Sequence, residues 1–291
     1  MSTGVIIKAL SGFYYVYDSG MLVSCKAKGK FRYAGMSPLV GDKVEYTLTS
    51  DGNGTVDIIL PRQNSFIRPA VANIDTMVFI ASCTKPITDP YLIDRVSVIA
   101  ENNGCRFIVC INKCDMAETD ELLSIYRDSG YICLETSALT GEGILELKEL
   151  LKGSISAFTG NSGVGKSSIL NALVPGLEIE TAEISDRLGR GKHTTRHVEF
   201  YPVDDSGLIA DTPGFSSFDL QMVDDISYEQ LSFLFPDFSD YLGNCRFNDC
   251  RHLNEPDCAV LSAVKEGKIR KTRHESYVKL FDLVYNHKPW D

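Results

Sequence analysis

The sequence predicts a multidomain protein with a five-stranded β-barrel, a central α/β domain and a mainly helical C-terminal domain that holds a metal ion. Residues 1–65 contain five short apolar segments separated by Gly, Ser, Asp and Asn, which is typical of short strands. From 66 to 222, strand-like segments alternate with helical ones, which favours a largely parallel sheet. From 223 to 291 the chain is helical and contains a cysteine cluster. These three ranges are the predicted domains.

The composition favours a cytoplasmic protein without a membrane segment. The chain of 291 residues is 44% hydrophobic and 23% charged, and no apolar run is long enough to span a bilayer. The first residues lack the basic and apolar regions of a secretory signal. Nine cysteines in such a chain argue against a disulfide framework. The net charge of −10 means that any RNA binding has to come from local basic patches.

The predicted barrel has the strand number of the oligonucleotide-binding (OB) barrel. Segment 26–32 has a basic residue at every second position, and an extended chain would place all four on one face. Such a face suits an RNA phosphate backbone, although a solvated edge made basic against aggregation explains the pattern as well. The candidate RNA contacts in this segment are Lys26, Lys28, Lys30 and Arg32.

Residues 160–167, Gly-Asn-Ser-Gly-Val-Gly-Lys-Ser, match the pattern of a phosphate-binding loop. A predicted strand at 155–159 precedes them and a predicted helix follows, which is the context that the motif needs. The glycines let backbone amides face phosphate oxygens, Lys166 would reach the β and γ phosphates, and Ser167 would bind Mg²⁺. A glycine-rich turn that binds nothing is the alternative. The predicted phosphate-site residues are Gly160, Asn161, Ser162, Gly163, Val164, Gly165, Lys166, Ser167 and Ser168.

Residues 112–115 form an Asn-Lys-x-Asp sequence after the predicted strand 106–111, at the end where ligands bind in such sheets. Asp115 can accept the ring N–H and the exocyclic amine of guanine, a donor pair that adenine lacks. Asn112 is expected to brace the loop, and the Ala138 N–H after the next strand can face guanine O6. These residue types are also common in ordinary turns. The predicted base-site residues are Asn112, Lys113, Cys114, Asp115, Ser137 and Ala138.

Two segments after the phosphate loop are predicted to respond to the nucleotide. Residues 181–197 are rich in Gly and Arg, as surface loops are, and Thr195 is preferred to Thr194 for completing the Mg²⁺ shell. In the second segment, 211–214, Asp211 would hold Mg²⁺ through water and the Gly214 amide would sense the γ phosphate. A plain Pro-Gly turn is the alternative for the second segment.

Along the chain, the two base-binding loops come first, the phosphate loop follows, and the two switch segments come last. Ordinary GTPases begin with the phosphate loop. A circular permutation accounts for this order. With motifs at 112–115, 160–168, 191–195 and 211–215, an N-terminal barrel and a cysteine-rich C-terminus, the chain resembles the ribosome small-subunit-dependent GTPase A (RsgA) family over essentially its whole length. The resemblance implies a GTP hydrolase that acts late in maturation of the small ribosomal subunit, binds its rRNA and is stimulated by it.

Phe215 occupies the position where many GTPases have a glutamine that orients the attacking water. We therefore expect slow intrinsic hydrolysis and strong stimulation by a partner. His193 is the candidate for positioning water, since an imidazole can orient or deprotonate water near neutral pH. A surface histidine that contacts RNA, or has no role, explains it equally. The predicted catalytic residues are His193, Lys166 and Gly214.

The cysteine cluster contains three cysteines and one histidine within 14 positions. This set fits a closed tetrahedral zinc site of the structural type, which leaves no position for chemistry. Reduced cysteines without a metal are the alternative. The predicted ligands are Cys245, Cys250, His252 and Cys258. The expected cofactors are therefore one structural Zn²⁺ and Mg²⁺ bound with GTP.

Residues 265–279 contain six basic and two acidic residues, which suits a helix that contacts rRNA, although a solvated helix face explains this segment as well. The basic segment predicted in the barrel adds a second such patch and favours RNA binding. The predicted contacts are Lys268, Arg270, Lys271 and Arg273. Because segment 211–215 leads almost directly into this domain, we hypothesise that the γ phosphate sets the orientation of the C-terminal domain and thereby its affinity for the subunit.

The leading interpretation is a GTP hydrolase, and the rival is an RNA-binding adaptor that holds guanine nucleotide with negligible turnover. An ATPase would leave Asp115 without a role. Phosphate release with and without small subunits separates the first two. The expected partners are GTP or GDP and the small ribosomal subunit with its rRNA, with no membrane, and the protein is expected to be a monomer.

Overall fold

The computed structural model describes residues 1–33, 35–174, 176–179, 198–203, 207–211 and 226–286. They form two compact units, each discontinuous in sequence. The first unit contains Met1–Met77, Ile144–Thr159 and the described part of Lys166–Ser217. The second contains Val78–Gly143, Gly160–Gly165 and the described part of Phe218–Asp291. The domain boundaries predicted after residues 65 and 222 stay predictions.

The chain begins with a closed barrel of five strands, which confirms the predicted barrel. The strands are β1 Ser2–Leu10, β2 Phe13–Asp18, β3 Met21–Ala27, β4 Lys43–Leu48 and β5 Gly54–Ile59, in the spatial order β1-β2-β3-β5-β4. Pairing of β1 with β4 closes the barrel. Ile6, Val16 and Val44 are fully buried, as expected for the inward face of alternating strands. A Cβ on Gly54 would lie 2.6 Å from Cys25 Sγ, so a larger residue at the start of β5 would force the buried Cys25 side chain to shift.

The extended basic face predicted for residues 26–32 is wrong. Strand β3 ends at Ala27, and Lys30–Tyr33 forms a short helix, α1. The Lys28 ammonium pairs at 2.6 Å with the Asp57 carboxylate, whose side chain is only 4% exposed. The alternation fails because the helical turn breaks the two-residue period and a buried carboxylate draws one lysine toward β5. RNA contact by Lys26, Lys28, Lys30 and Arg32 stays a prediction.

A hairpin of β6 Ser65–Phe66 and β7 Val71–Ala72 leads from the barrel to a six-stranded sheet with interspersed helices, which confirms the predicted α/β domain. In chain order the strands are β8 Thr76–Ser82, β9 Arg106–Asn112, β10 Ile132–Thr136, β11 Ile155–Thr159, β12 Phe200–Val203 and β13 Gly207–Asp211. The helices are α2 Pro90–Asn102, α3 Asp120–Asp128, α4 Ile144–Leu150 and α5 Lys166–Leu173. The spatial order of the strands is β10-β9-β8-β11-β13-β12.

Local sequence explains these elements. All seven residues of β8 are buried, which fits the continuous apolar sequence of a strand covered on both faces. Strand β9 pairs in parallel with β10, and β11 in parallel with β13, whereas β12 is antiparallel to β13. Helix α2 begins where the Asp89 carboxylate accepts the Tyr91 N–H and Pro90 occupies the first turn. The carboxyl ends of the parallel strands therefore carry the loops that were predicted to bind ligand.

The C-terminal residues form a mainly helical region, as predicted. It contains two 3₁₀ helices, Leu231–Leu234 and Pro236–Tyr241, followed by α6 Ala259–Lys265 and α7 Lys271–Asn286. Its core includes the fully buried rings of Phe235 and Phe238, with Tyr277 of α7 packed against both. The same core extends to Val98 of α2.

Arg273 is not the exposed RNA contact that was predicted. Its side chain is fully buried, and its guanidinium donates to the Asp94 carboxylate at 2.6 Å and to the Asp237 carboxylate at 2.8 Å. Arg270 is exposed but already bonded to Asp128, at 2.9 Å from Nε. Of the four predicted helix contacts, Lys268 and Lys271 remain the most exposed, each in an ion pair at the surface.

Candidate nucleotide site and metal centre

The phosphate loop has the predicted strand-loop-helix geometry. Strand β11 is buried throughout and ends at Thr159, and α5 begins at Lys166. Gly160 and Gly165 adopt φ angles of 143° and 94°, which favour glycine. A Cβ at Gly165 would lie 2.2 Å from the Asn112 side-chain nitrogen, and one at Gly160 would lie 2.3 Å from the carbonyl oxygen of Ile80. Both positions therefore exclude any side chain.

Asn112 joins the predicted base loop to the phosphate loop. It is the last residue of β9 and only 3% exposed. Its Nδ2 donates to the Val164 carbonyl at 2.8 Å, and its Oδ1 accepts the Ala138 N–H at 3.2 Å. The bracing role predicted for Asn112 is thus present in the structure, and it extends to the phosphate loop. The predicted Ala138 contact with guanine O6 would have to share or replace the bond to Asn112.

Lys113 makes a second connection between these loops. Its backbone has a positive φ of 67°, and its ammonium donates to the carbonyls of Gly163 at 2.9 Å and Lys85 at 3.2 Å. The sequence did not suggest a role for the 83–88 loop, because a contact through a backbone carbonyl leaves no residue signature. Asp115 is exposed at the tip of the base loop. Burial raises the pKa of Cys114 to about 11, so this thiol is protonated at neutral pH.

Strand register explains why the base loops meet. Thr136 of β10 is the register partner of Asn112, so the carboxyl ends of β9 and β10 are adjacent. The loop that follows is closed by the Ser137 N–H, which donates to the Glu142 carbonyl at 3.0 Å, and by Ser137 Oγ, which accepts the Thr140 N–H at 3.1 Å.

The predicted magnesium residues are only partly within the described chain. Asp211 ends β13 and is the register partner of Phe158 in β11, so its backbone is adjacent to the strand that leads into the phosphate loop. Ser167 lies in the first turn of α5. His193, Thr195, Gly214 and Phe215 fall in stretches that the structure does not describe, and their roles stay predictions.

The predicted metal ligands come together. The ligand atoms of Cys245, Cys250, His252 and Cys258 all lie within 4.8 Å of one another. His252 Nδ1 is 3.6 Å from Cys245 Sγ and 3.4 Å from Cys258 Sγ, and the two sulfurs are 3.9 Å apart. A tetrahedral zinc ion with ordinary bond lengths separates sulfur from sulfur by about 3.8 Å and sulfur from nitrogen by about 3.6 Å. The donor set therefore fits a tetrahedral metal ion.

Backbone groups around the cluster support this assignment. The N–H groups of Ala259 and Leu261 at the start of α6 donate to the sulfurs of Cys245 and Cys258 at 3.4 and 3.5 Å. Such bonds stabilise thiolates. Burial lowers the pKa of His252, which favours the neutral imidazole that binds metals. His274 is not in the ligand set and bonds to the His252 carbonyl at 2.7 Å. All nine cysteines lie in the described residues, and none forms a disulfide.

The fold and the site define the class of protein. A phosphate loop follows β11, whereas the Asn-Lys-x-Asp loop that it contacts follows the earlier strand β9. The order of the base and phosphate elements is therefore that of a circularly permuted P-loop GTPase. Over the described residues no helix is both long and apolar enough to cross a membrane.

Comparison with known proteins identifies the family. A family model described as RsgA GTPase matches residues 59–221, and one described as RsgA N-terminal domain matches residues 3–56. A protein named "Small ribosomal subunit biogenesis GTPase RsgA" from Caldanaerobacter subterraneus subsp. tengcongensis is 46% identical over 284 residues, which cover 97% of this chain and 95% of the relative. A Geobacillus protein of the same name is 43% identical over 295 residues and 99% of each chain.

Solved structures agree with these relatives. The crystal structure of YjeQ from Thermotoga maritima matches with a TM-score of 0.84 at 38% identity, over 99% of both chains. YloQ, described as a circularly permuted GTPase, matches with a TM-score of 0.82 at 34% identity, over 99% of this chain and 96% of its own. The chain belongs to the RsgA GTPase family.

Proposed function

We propose that this protein hydrolyses GTP to GDP and phosphate and acts in late maturation of the small ribosomal subunit. The observation that carries the guanine-nucleotide site is that Asn112 donates to the Val164 carbonyl and accepts from the Ala138 N–H, because these bonds join the phosphate loop to both predicted base loops. The subunit assignment rests on family membership, since the named relatives are GTPases of small-subunit biogenesis.

The predicted site residues have separate roles in binding the base, the phosphates and Mg²⁺. Asp115 and the Ala138 amide select guanine, while Lys113 and Asn112 hold the base loop against the phosphate loop. Backbone amides of 160–168 and the Lys166 ammonium bind the phosphates. When Mg²⁺ is bound with GTP, it neutralises charge that develops on the phosphates. Ser167, Thr195 and Asp211 are its proposed ligands, directly or through water.

Two residues are proposed to act at the γ phosphate. The Gly214 amide binds it, and His193 positions the attacking water in place of the glutamine that Phe215 replaces. The small subunit is the proposed partner that places this imidazole at the γ phosphate. This explains why low intrinsic turnover and stimulation by a partner are expected together.

The metal centre is proposed to hold one zinc ion with a structural role. Four protein ligands complete its tetrahedron, so no site remains for water or substrate. Zinc binding then contributes to the stability of a region whose residues 226–258 contain no α-helix.

The remaining assignments follow from sequence and family. The proposed domains are an RNA-binding barrel at 1–65, the GTPase domain at 66–222 and the zinc domain at 223–291. The proposed rRNA contacts are Lys26, Lys28, Lys30, Arg32, Lys268, Arg270 and Lys271. We propose a cytoplasmic monomer that makes no membrane contact.

Phosphate release by the full-length protein, with and without purified small subunits, tests the function. Wild type should be stimulated by about 10³ to 10⁵. His193→Ala should lose about 10² to 10³ of the stimulated rate while binding a nonhydrolysable GTP analogue normally. Glu149→Gln, an exposed change on α4, is the matched control and should behave like wild type. A rate that subunits leave unchanged would refute the proposal.

The rival function, an adaptor that binds guanine nucleotide with negligible turnover, is kept because of Phe215. It predicts that subunit binding depends on the nucleotide whereas phosphate release stays at the intrinsic rate. The same assay therefore decides between the two.

A further inference from the structure

A pocket of about 590 Å³ opens beside the metal cluster, within the second compact unit. Its lining combines aromatic rings, the two carboxylates of Glu229 and Asp249, and the guanidinium of Arg251. The nucleotide site does not use this pocket, whereas three of the four proposed metal ligands, Cys245, Cys250 and His252, form part of its wall.

Two phenylalanines in the lining are unusually exposed. Phe233 in the first 3₁₀ helix is 71% exposed and Phe247 in the metal loop is 42% exposed, whereas the neighbouring Phe235 and Phe238 are fully buried. Large exposed apolar side chains grouped in one concave surface mark an interaction site more often than isolated ones do. The pocket thus offers apolar contact area to a partner.

Among the described residues of the lining, Arg251 is the only cation, and it is already engaged. The Arg251 guanidinium lies 5.3 Å from the ring centroids of both Tyr228 and Tyr285. A hydrogen bond with Tyr285 raises the pKa of Arg251. Arg251 is therefore held against the protein's own rings, although its side chain stays exposed.

The charge around the pocket favours a cationic partner. Residues 226–258 contain six carboxylates and two arginines, and one of the carboxylates, Asp237, is paired with the buried Arg273 of α7. Arg246 is paired with Asp257 at 2.9 Å. A zinc ion with three thiolate ligands adds one further negative charge. This net negative charge disfavours an RNA backbone, and most basic residues of the domain lie in the separate segment 265–279.

We propose that this pocket binds a basic segment of a protein partner. Arg or Lys side chains of that segment pair with the carboxylates of Glu229 and Asp249, and their aliphatic stems pack on Phe233 and Phe247. The C-terminal domain would then contact its target through two surfaces of opposite charge, one for RNA and one for protein. The location of the partner on the small subunit rests on the proposed function, but the chemistry of the pocket does not.

A peptide-binding assay tests the chemistry without subunits. The full-length, zinc-loaded protein is titrated with a fluorescein-labelled peptide Gly-Arg-Lys-Leu-Arg-Lys-Gly and, separately, with a labelled heptauridylate, and anisotropy is measured at low and physiological salt. We expect the peptide to bind and its affinity to fall by about fivefold in a Glu229→Gln/Asp249→Asn double variant. Asp240→Asn is the matched control, because it removes an exposed carboxylate of the same segment outside the pocket lining. Phe233→Ala should weaken peptide binding as well.

A photocrosslinking experiment tests the location. p-Benzoylphenylalanine replaces Phe233, or Val278 on α7 as the control, and the protein is irradiated with purified small subunits and a nonhydrolysable GTP analogue. The adduct formed from position 233 should survive ribonuclease but be degraded by protease. The partner peptide in that adduct should be rich in Arg or Lys. If the protein bound the peptide but did not cosediment with small subunits, the pocket's affinity for basic peptides would be supported and the proposed function would not.

Three results would overturn the proposal. The first is heptauridylate binding that Phe233→Ala weakens, or a crosslink at position 233 that ribonuclease destroys, since the pocket would then bind RNA. The second is a peptide affinity that the double variant leaves unchanged. The third is a more than fivefold gain in peptide affinity when the chain is ended at Asn286, since the protein's own C-terminus would then be the occupant.

Discussion

Replacing Arg273 by methionine tests whether a buried ion pair joins α7 to α2. The guanidinium is fully buried, donates to Asp94 at 2.6 Å and to Asp237 at 2.8 Å, and lies 4.7 Å from the centroid of the Phe235 ring. Methionine keeps most of the apolar stem but removes the charge. The Asp94 carboxylate, which is also fully buried, is left without its cation.

The expected loss is about 3 to 5 kcal/mol, the usual cost of removing one partner of a buried ion pair. Arg270→Met is the matched control, because its pair with Asp128 is roughly half exposed and should be worth less than about 1 kcal/mol. These losses of stability correspond to falls in melting temperature of about 10 °C for Arg273→Met and about 2 °C for Arg270→Met. Differential scanning calorimetry of the zinc-loaded protein measures both, and hydrogen exchange identifies α2 and α7 as the segments that lose protection.

The pH dependence of the same variant has a definite sign. Burial raises the pKa of Asp94, and the nearby Arg273 opposes that rise. Without Arg273 the folded-state pKa rises further above the unfolded value of about 3.9. The folded state then keeps a proton that the unfolded state releases, so stability falls as the pH rises between these two pKa values. The deficit of Arg273→Met should therefore be smaller at pH 5 than at pH 8. Equal falls in melting temperature for Arg273→Met and Arg270→Met would refute the role given to the buried ion pair.

Three further changes test the nucleotide and metal sites. Asp115→Asn should lower GTP affinity by about 100-fold and favour XTP, whose 2-oxo group matches an amide donor. Competition binding measures the ratio of GTP affinity to XTP affinity. An unchanged ratio would exclude Asp115 from base recognition. Gly165→Ala should cost about 1 to 3 kcal/mol and weaken nucleotide binding, because its Cβ would meet the Asn112 amide. Gly153→Ala, also at positive φ but with no atom within 4 Å, is its control and should leave nucleotide affinity unchanged. Cys258→Ser should abolish binding of the proposed zinc ion, measured with a colorimetric chelator, and lower the hydrogen-exchange protection of α6, whereas retained zinc would contradict the ligand set.

The elements that could be predicted from sequence are those with a local signal. Five apolar segments between turn residues indicated the barrel, and alternation of strand and helix patterns indicated the α/β sheet. The phosphate loop and metal ligands were found because their chemistry needs specific residue types at short spacing. The contact between Asn112 and Val164 spans 52 positions, so only the sheet, and no motif, brings the two together.

The two wrong predictions concern charged residues whose partners are distant in sequence. Lys28 is exposed, but nothing local in the sequence indicates that it pairs with the buried Asp57. Arg273 had a usable signal, since it shares a 3.6-residue period with the buried Tyr277, Leu280 and Val284 of α7. The net positive charge of segment 265–279 favours an exposed helix, whereas the periodicity places Arg273 on the buried face of that helix.

The buried ion pair also limits how the C-terminal domain can respond to GTP. The hypothesis that the γ phosphate orients this domain relies on segment 211–225, which enters it from β13. Arg273 and its partner Asp94 tie α7 to α2, which lies between β8 and β9 in the chain and precedes the base loop at Asn112. A reorientation large enough to expose Arg273 would cost several kcal/mol, more than most coupling energies between sites. The domain should therefore follow α2 rather than rotate away from it, and Arg273→Met should reduce the ratio of subunit affinities measured with the GTP analogue and with GDP. An unchanged ratio in that variant would mean that the nucleotide acts on the subunit without passing through this contact.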